Sequence, residues 1–235
     1  MQKITYDVLS WTDAKVACVG SFDEHEAYPY EKLLLKKFDG KFEKALDFGC
    51  GIGRMINKFS VIFENVDGID ISDNNLLIAK EYCQGMKNKP NLYITDGMYF
   101  NNIKDDTYDF IYSTIAMEHI APYSVRLKIF EEMYRVLNKS GYISIQMCYI
   151  DNFNNHYKYT QDAAEKMPVK GIAEWNEDAT WATSTNSHYD VKLDKKSLNL
   201  VENDLTNIGF KEVSFHFESP PHKGADTFIF IYANK

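Results

Sequence analysis

Short apolar runs typical of strands alternate with amphipathic stretches typical of helices along much of the chain. The strand-like runs cover residues 45–48, 66–71, 92–95, 108–114 and 142–148. The helix-like stretches between them cover residues 54–63, 73–86 and 124–137. Strands that alternate with helices of this length predict a parallel sheet with helices packed on both of its faces.

The boundaries of two of these helices carry local signals. Apolar residues recur at a spacing of three and four from Val125 to Val136, which predicts one buried stripe on that helix. Gly141 is expected to end this helix, because glycine commonly follows the last helical turn. Ser72 or Asp73 is expected to cap the preceding helix, because a side-chain oxygen there accepts a hydrogen bond from a free backbone N–H.

The end of the chain has a different pattern. A short helix over residues 197–207 precedes two strand-like runs, 211–217 and 227–232, and the proline-rich turn between them can bring the second run back antiparallel. The sequence thus predicts an α/β fold, a three-layer sandwich around a seven-stranded, mostly parallel sheet with a C-terminal antiparallel hairpin. Residues 151–196 are polar and aromatic without a firm period, and a segment of this length is usually functional.

The composition is that of a globular domain. The chain has 235 residues, of which 45% are hydrophobic and 14% aromatic, which excludes intrinsic disorder and suits one large domain. Mean hydropathy is −0.39 and no apolar run reaches the ~20 residues of a membrane span, so we expect no transmembrane helix. The first residues lack the apolar core of a signal peptide, so the expected location is cytoplasmic.

The charge balance argues against nucleic acid as a partner. The chain carries 26 basic and 34 acidic residues, a net charge of −8, and its basic residues form no stripe. A domain that binds nucleic acid usually has such a stripe. The cysteines, Cys18, Cys50, Cys83 and Cys148, are too scattered for a zinc ligand set, so we expect reduced thiols and no metal site.

The strongest local motif lies between the first strand and the first helix. Gly49, Gly51 and Gly53 alternate with Cys50 and Ile52 directly after an apolar strand. Glycine lets the chain turn tightly and lets a ligand approach the backbone, since no Cβ is in the way. On its own this pattern also fits an ordinary strand-to-helix turn.

Three acidic residues sharpen the interpretation of this loop. Asp47 lies two residues before the first glycine, Asp70 ends the second strand, and Asp96 follows the third strand. An acid at the tip of the second strand is placed to accept hydrogen bonds from a ribose diol. The combination therefore favours a site for a ligand that contains a nucleoside.

Five motifs occur in the order and spacing of one known family. They are Leu46-Asp47-Phe48-Gly49-Cys50-Gly51-Ile52-Gly53, Gly68-Ile69-Asp70-Ile71-Ser72, Thr95-Asp96-Gly97-Met98, Tyr108-Asp109-Phe110-Ile111-Tyr112-Ser113 with Met117-Glu118-His119-Ile120, and Tyr134-Arg135-Val136-Leu137 before Ser140-Gly141-Tyr142-Ile143. In these motifs the sequence resembles the class I S-adenosylmethionine-dependent methyltransferases, and specifically their type 11 branch, which acts on small molecules. The resemblance covers residues 33–148 and returns at the C-terminal helix and hairpin, and it implies a Rossmann-like methyltransferase fold.

The resemblance implies S-adenosylmethionine as the cofactor and S-adenosylhomocysteine as the product. It assigns the cofactor site to Asp47, Gly49, Cys50, Gly51, Asp70, Ile71, Asp96, Gly97, Met98, Ser113 and Tyr28. The glycine loop is expected to hold the methionine end, Asp70 the ribose hydroxyls and Asp96 the adenine amino group. Residues 113–117 are expected to border the sulfonium, and Tyr28 or Tyr30 to close the pocket over the methionine end.

Other nucleotide-binding proteins fit these motifs less well. A nicotinamide-dependent dehydrogenase has a third glycine where this chain has Arg54, and Asp47 has no role in a dinucleotide site. A nucleoside triphosphatase is disfavoured because no Gly-Lys-Ser/Thr follows the loop. A regulatory module that keeps the cofactor fold without catalysis stays open, because intact site residues do not prove turnover.

The methyl acceptor is expected to be a small molecule, because the Asn/Asp/Ser-Pro-Pro-aromatic cluster of enzymes that methylate base amino groups is missing after the fourth strand. The sequence leaves open whether the acceptor is a hydroxyl or an amine. A hydroxyl needs a general base, for which His119 is the first candidate and His156 and His188 are rivals. His156, Trp175, Trp181 and His188 are the expected substrate-binding residues.

The chain is expected to form a single domain with four parts. Residues 1–40 are the predicted N-terminal helical cap and residues 41–148 the cofactor-binding core. Residues 149–196 are the predicted substrate-recognition insertion, and residues 197–235 the C-terminal helix and hairpin. Aromatic side chains in the insertion can line an acceptor pocket.

Overall fold

The structure is a computed structural model, and it describes residues 27–120, 123–149, 192–220 and 227–235. Within these residues the helices are α1 (Tyr30–Leu34), α2 (Arg54–Phe59), α3 (Asp73–Tyr82), α4 (Tyr123–Val136) and α5 (Lys195–Ile208), with a 3-10 helix at Met117–His119. The strands are β1 (Lys44–Phe48), β2 (Asn65–Asp70), β3 (Leu92–Ile94), β4 (Tyr108–Ser113), β5 (Leu137–Tyr149), β6 (Lys192–Leu193), β7 (Lys211–Glu218) and β8 (Thr227–Asn234).

The strands form one mixed sheet in the order β3-β2-β1-β4-β5-β8-β7, and the short strand β6 pairs beside β5. Strands β1 to β5 pair in parallel, whereas β8 runs antiparallel to both β5 and β7. The predicted, mostly parallel sheet with its C-terminal antiparallel hairpin is confirmed. Strand β6 was not predicted, because two residues are too few to leave a period in the sequence.

The order of strands reverses at β1. Strands β2 and β3 lie on one side of it, and β4 and β5 lie on the other. In open parallel sheets, ligands bind in the crevice that such a reversal opens at the carboxyl ends of the strands. The carboxyl ends of β1 and β4 therefore mark the place of a site.

Two apolar clusters cover the two faces of the sheet. Ile129 of α4 and Val201 of α5 belong to one cluster together with Ile143 of β5. Ile56 of α2 belongs to the other cluster together with Phe110 of β4. The predicted three-layer sandwich is confirmed, with α4 and α5 on one face and α1 and α2 on the other. No helix in the described ranges combines the length and the apolar character that crossing a membrane requires.

Gly141 lies inside β5, so the prediction that it ends α4 was wrong. The strand already begins at Leu137, because this residue is buried and pairs with Tyr108. The register then shifts, so that Phe110 lies opposite Tyr142 and the extra residues of β5 form a bulge. A Cβ on Gly141 would lie 3.0 Å from the carbonyl oxygen of Tyr108, so close packing in the bulge is what requires glycine.

Candidate functional site

Three glycines shape the loop that joins β1 to α2. Gly49, Gly51 and Gly53 have φ angles of 71°, 51° and 83°, a left-handed conformation that residues with a Cβ rarely adopt. The loop is tied to β2, because the Gly49 N–H donates to the carbonyl oxygen of Ile69 and the Gly51 N–H donates to Asp70 Oδ2, each over 2.9 Å. The backbone itself therefore requires the glycines that the sequence singled out.

Two neighbouring segments pack closely against this glycine loop. A Cβ on Gly49 would lie 2.3 Å from the Cβ of Ala116, in the segment after β4. A Cβ on Gly53 would lie 3.0 Å from the Sγ of Cys83, just after α3. Cys50 is buried between these glycines, with its Sγ 2.8 Å from where a Cβ on Gly68 would lie, and burial raises the pKa of its thiol. The loop is thus packed tightly against its own protein neighbours.

Asp70 ends β2 at the edge of the glycine loop and is buried. Its Oδ1 accepts from the Ser72 N–H, and its Oδ2 from the Gly51 N–H, each over 2.9 Å. Ser72 caps α3 as predicted, by accepting from the Asn75 N–H, and Asn75 Nδ2 lies 3.5 Å from Asp70 Oδ1. Burial raises the pKa of Asp70, and these hydrogen bonds oppose that rise. A carboxylate has about four acceptor positions, so Asp70 retains capacity for a ligand.

Asp47 lies on the neighbouring strand β1 and is only 2% exposed. Its Oδ2 is buried and has no hydrogen-bond partner among the residues described. Burial raises the pKa of Asp47 well above its usual value; nearby Arg54 opposes this rise and Asp70 adds to it. Arg54 begins α2, and its guanidinium carbon lies 5.6 Å from the ring centre of Tyr30. A buried carboxyl oxygen that no protein group satisfies can accept from a ligand.

The turn after β3 brings together Asp96, Gly97 and Ile71. Asp96 Oδ1 accepts from the backbone N–H groups of Tyr99 and Met98, each over 2.9 Å, and these bonds lower the pKa of Asp96. Gly97 has a φ of 95°, and a Cβ there would lie 3.4 Å from Ile71 Cδ1. The turn thus places an ionised acid and an apolar side chain beside the end of β2, where the adenine ring is expected.

The segment after β4 faces the glycine loop. Ser113 is fully buried, and its Oγ donates to the carbonyl oxygen of Phe48 over 2.9 Å, which ties the ends of β4 and β1 together. Ile115 has a φ of 66°, and its N–H donates to Gln146 Oε1 over 2.7 Å. His119 ends the following 3-10 helix and is partly exposed. The segment expected to border the sulfonium therefore lies beside the loop, while the role of His119 as a base stays a prediction.

Tyr28 and Tyr30 lie in different surroundings. The Tyr28 hydroxyl donates to the carbonyl oxygen of Ser219 over 2.7 Å, and its ring centre lies 5.7 Å from that of Phe228. These contacts place Tyr28 against the terminal hairpin. Tyr30, in contrast, lies beside Arg54, the residue that follows the last glycine of the loop. Contact between Tyr28 and the cofactor stays a prediction.

The sequence did not reveal every residue of this site. Arg54 was noticed only as a departure from the dehydrogenase pattern, although its place directly after the third glycine was a signal. Asn75 lies three residues after the cap Ser72, which is a weaker signal. No sequence signal pointed to Gln146, because its hydrogen-bond partner Ile115 is 31 residues away in the chain.

Four predicted residues cannot be placed. His156, Trp175, Trp181 and His188, the expected substrate-binding residues, lie outside the described residues. Within the described part of the chain, no group of three or more His, Cys, Asp and Glu side chains could hold a metal ion.

Comparison with known proteins gives one domain family and several relatives. Residues 46–145 match the family "Methyltransferase domain", in its type 11 form. A phosphoethanolamine N-methyltransferase 2 from Caenorhabditis elegans is 32% identical over 136 residues, which are 54% of this chain and 28% of that protein. A demethylmenaquinone methyltransferase from Staphylococcus haemolyticus is 30% identical over 128 residues, 52% of this chain and 50% of that protein. The chain thus spans half the length of these two relatives or less.

Solved methyltransferase structures share the fold. The 1,6-didemethyltoxoflavin-N1-methyltransferase of Burkholderia thailandensis, with bound 1,6-didemethyltoxoflavin and S-adenosylhomocysteine, has a TM-score of 0.67 at 13% identity and covers 95% of this chain and 84% of its own. A methyltransferase of Leishmania major has a TM-score of 0.70 at 17% identity, over 100% of this chain and 82% of its own. At these identities the likeness shows the fold alone. With the matched family, it confirms the resemblance: residues 46–145 form a class I S-adenosylmethionine-dependent methyltransferase domain of type 11.

S-adenosylmethionine is the cofactor of this family, and the residues of the site fit it. The buried Asp47 Oδ2, which has no partner among the described residues, suits the ammonium group of the methionine end. Asp70 suits the ribose diol, since it ends β2 and keeps free acceptor capacity. Ile71 and the turn at Asp96 offer the apolar and the acidic contacts that an adenine ring and its amino group require.

Proposed function

We propose that this protein transfers a methyl group from S-adenosylmethionine to a hydroxyl or amine of a small molecule. The observation that carries the proposal is the arrangement of side chains and backbone at the carboxyl ends of β1 and β2. There, two buried acids, Asp47 and Asp70, flank a loop of three left-handed glycines. These acceptor groups suit a ligand with both an ammonium group and a ribose diol, and the matched family supports the same cofactor.

The protein is proposed to act mainly by orientation. When bound, S-adenosylmethionine supplies an electrophilic methyl group, and an in-line displacement of this kind is accelerated largely by positioning. Asp47 and Asp70 hold the two ends of the cofactor, so that its sulfonium faces residues 113–117. Ser113 keeps that segment against β1 through its hydrogen bond to Phe48. The acceptor then approaches from the side of β4 and β5.

A hydroxyl acceptor also has to lose its proton, and His119 is the proposed base. It ends the 3-10 helix that follows β4, the side from which the acceptor is proposed to approach. For a hydroxyl acceptor, His119→Ala is expected to lower kcat about 10²–10⁴-fold with little change in cofactor affinity. An amine with a free lone pair needs no base, so an amine acceptor is expected to react almost normally in this variant. Full turnover of a hydroxyl acceptor by His119→Ala contradicts the assignment.

The charge of the chain and its relatives support a small acceptor. A net charge of −8 without a basic stripe disfavours nucleic acid. The relatives are named for phosphoethanolamine, demethylmenaquinone and didemethyltoxoflavin, which are all small molecules. Recognition of the acceptor is assigned to residues 149–196, including His156, Trp175, Trp181 and His188.

The direct test uses S-adenosylmethionine with a labelled methyl group. The protein is incubated with one acceptor at a time: phosphoethanolamine, a demethylmenaquinone, 1,6-didemethyltoxoflavin or total tRNA. We expect label in one small molecule, with one S-adenosylhomocysteine formed for each methyl group transferred. The Asp70→Ala variant serves as the inactive control.

Two outcomes would overturn parts of the proposal. Transfer of label to tRNA alone contradicts a small-molecule acceptor. Tight binding of S-adenosylhomocysteine without transfer to any acceptor favours a regulatory module that binds the cofactor without catalysis.

A further inference from the structure

The turn that follows β4 has a strained backbone. Ile115 has a φ of 66°, which is a genuine outlier for a β-branched residue. The Ala116 N–H donates to the carbonyl oxygen of Thr114 over 2.8 Å, so the three residues form a γ-turn of the rare, positive-φ kind. Strained turns persist only where their surroundings hold them, and they cluster at functional sites.

Gln146 of β5 holds this turn in place. Its side chain is fully buried, and its Oε1 accepts from the Ile115 N–H over 2.7 Å. Because a backbone N–H can only donate, the oxygen of the amide has to face the turn. Ser113, the last residue of β4, pairs with Ile145, so Gln146 lies level with the start of the turn.

The turn that Gln146 holds contacts the glycine loop. Ala116, its last residue, occupies the space where a Cβ on Gly49 would lie, at 2.3 Å. The hydrogen bond from Ile115 to Gln146 therefore connects β5, through the turn, to the glycine loop. A change at Gln146 has a direct packing route to the methionine end of the cofactor.

Gln146 satisfies the turn with its oxygen but leaves its own nitrogen unpaired within the described part of the chain. Gln146 Nε2 is buried and has no hydrogen-bond partner among the described residues. An unpaired buried amide nitrogen is unfavourable; leucine, with a similar volume, would remove it but would also leave the Ile115 N–H without its acceptor. Residues that break a stability rule in this way are expected where function requires them.

We propose that Gln146 is a positioning residue: it fixes the strained turn against the glycine loop and so fixes the wall along which the sulfonium end of S-adenosylmethionine lies. The proposal rests on cofactor binding and is independent of the identity of the acceptor. The proposal for Gln146 can therefore fail while the acceptor assignment holds, and the acceptor assignment can fail while the proposal for Gln146 holds.

The test is a calorimetric titration with two ligands. S-adenosylhomocysteine has the amino-acid end, and 5′-methylthioadenosine has the same nucleoside without it. Gln146→Leu is expected to raise the Kd of S-adenosylhomocysteine about tenfold or more and that of methylthioadenosine by less than about twofold. Its thermal midpoint is expected to stay within about 2 °C of the wild type.

The matched control is Ser144→Ala. Ser144 lies on the same face of β5 and is also fully buried, with an Oγ that has no hydrogen-bond partner among the described residues. Because Ser144 makes no hydrogen bond to the turn, its loss is expected to change neither Kd.

Two further variants separate positioning from a general structural role. Gln146→Glu keeps an oxygen for the Ile115 N–H, so its S-adenosylhomocysteine affinity is expected to stay near the wild type. Ile115→Gly removes the strain, because glycine adopts a positive φ freely, so it is expected to restore affinity when combined with Gln146→Leu. The proposal is overturned if Gln146→Leu weakens both ligands equally, lowers the thermal midpoint or leaves S-adenosylhomocysteine affinity unchanged.

Discussion

The two halves of the sheet meet between β1 and β4 and differ in how far apart in the chain their hydrogen-bonded partners lie. In the half with β1 and β2, Asp70 is held by the N–H groups of Gly51 and Ser72. In the half with β4 and β5, Gln146 holds a strained turn at Ile115 and keeps a buried amide nitrogen without a partner among the described residues. The partners of Asp70 lie 2 and 19 residues away in the chain, whereas Ile115 and Gln146 lie 31 residues apart. Each half keeps a buried polar atom without a partner among the described residues, such as Asp47 Oδ2 in the first and Gln146 Nε2 in the second.

This difference matches the two tasks of a methyltransferase site. The cofactor is the same for every member of the family, so one compact loop can bind it. The acceptor differs between enzymes, and under the proposed function it approaches from the side of β4 and β5, whose elements can vary independently of the glycine loop. The variants that follow test where one half ends and the other begins.

Gly49→Val is expected to have the largest effect, because Gly49 lies where the halves touch. The new Cβ would lie 2.3 Å from that of Ala116, and a β-branched residue would have to adopt a φ of 71°. Strain and overpacking each cost about 1–3 kcal/mol. Calorimetry is expected to detect no S-adenosylhomocysteine binding, and urea unfolding is expected to occur at a lower midpoint.

Gly85→Ala is the control for that experiment. A Cβ on Gly85 meets no atom within 4 Å, so this variant is expected to bind and unfold like the wild type. Near-normal affinity in Gly49→Val would show that the turn after β4 and the glycine loop are not coupled.

Asp70→Ala tests the cofactor half by itself. Two hydrogen bonds from the ribose diol to a carboxylate are expected to be lost, each worth about 1.5–3 kcal/mol, so the Kd of S-adenosylhomocysteine is expected to rise about 100-fold or more. Asp67→Ala is the matched control. Asp67 is a buried acid of the same strand, bonded to Asn91 and Tyr108, so its loss is expected to lower stability and leave the Kd almost unchanged. An unchanged Kd in a folded Asp70→Ala protein removes Asp70 from the site.

Asp47→Asn is expected to have the smallest effect, which is a change in how the free energy of unfolding depends on pH. Burial raises the pKa of Asp47 in the folded protein above the unfolded value of about 3.9. The folded state therefore keeps a proton that the unfolded state releases, and the free energy of unfolding falls as pH rises from about 4 through the raised pKa. Asp47→Asn does not titrate, so its stability is expected to change less with pH.

Urea unfolding of the ligand-free protein at several pH values above about 4 measures this difference. A saturating concentration of S-adenosylhomocysteine is expected to reduce the slope in the wild type, because an ammonium group beside Asp47 favours its ionised form. A steeper slope in Asp47→Asn than in the wild type contradicts the account.

The sequence predicted the local backbone features of the cofactor half well, for a physical reason. A glycine pattern reports backbone conformations within a few residues, and the positive φ angles of Gly49, Gly51 and Gly53 follow from it. Ser72 and Asn75 form a cap across three residues, which is also a local interaction.

The wrong and missed predictions concern residues whose surroundings are set by the pairing of β4 with β5. Gly141 was interpreted as a helix end, but it lies inside β5, where a Cβ would crowd Leu137 and Asn138 of its own strand as well as Tyr108 of β4. The hydrogen bond between Gln146 and Ile115 depends on the pairing of β4 with β5, and no local sequence pattern around either residue predicts it.

The central claim is that the crevice beside the glycine loop is a site for S-adenosylmethionine. Calorimetric titration of the wild-type protein with S-adenosylhomocysteine and, separately, with NAD tests it most directly. The account predicts one S-adenosylhomocysteine bound per chain and no heat with NAD. Clear binding of NAD together with no response to S-adenosylhomocysteine would contradict it.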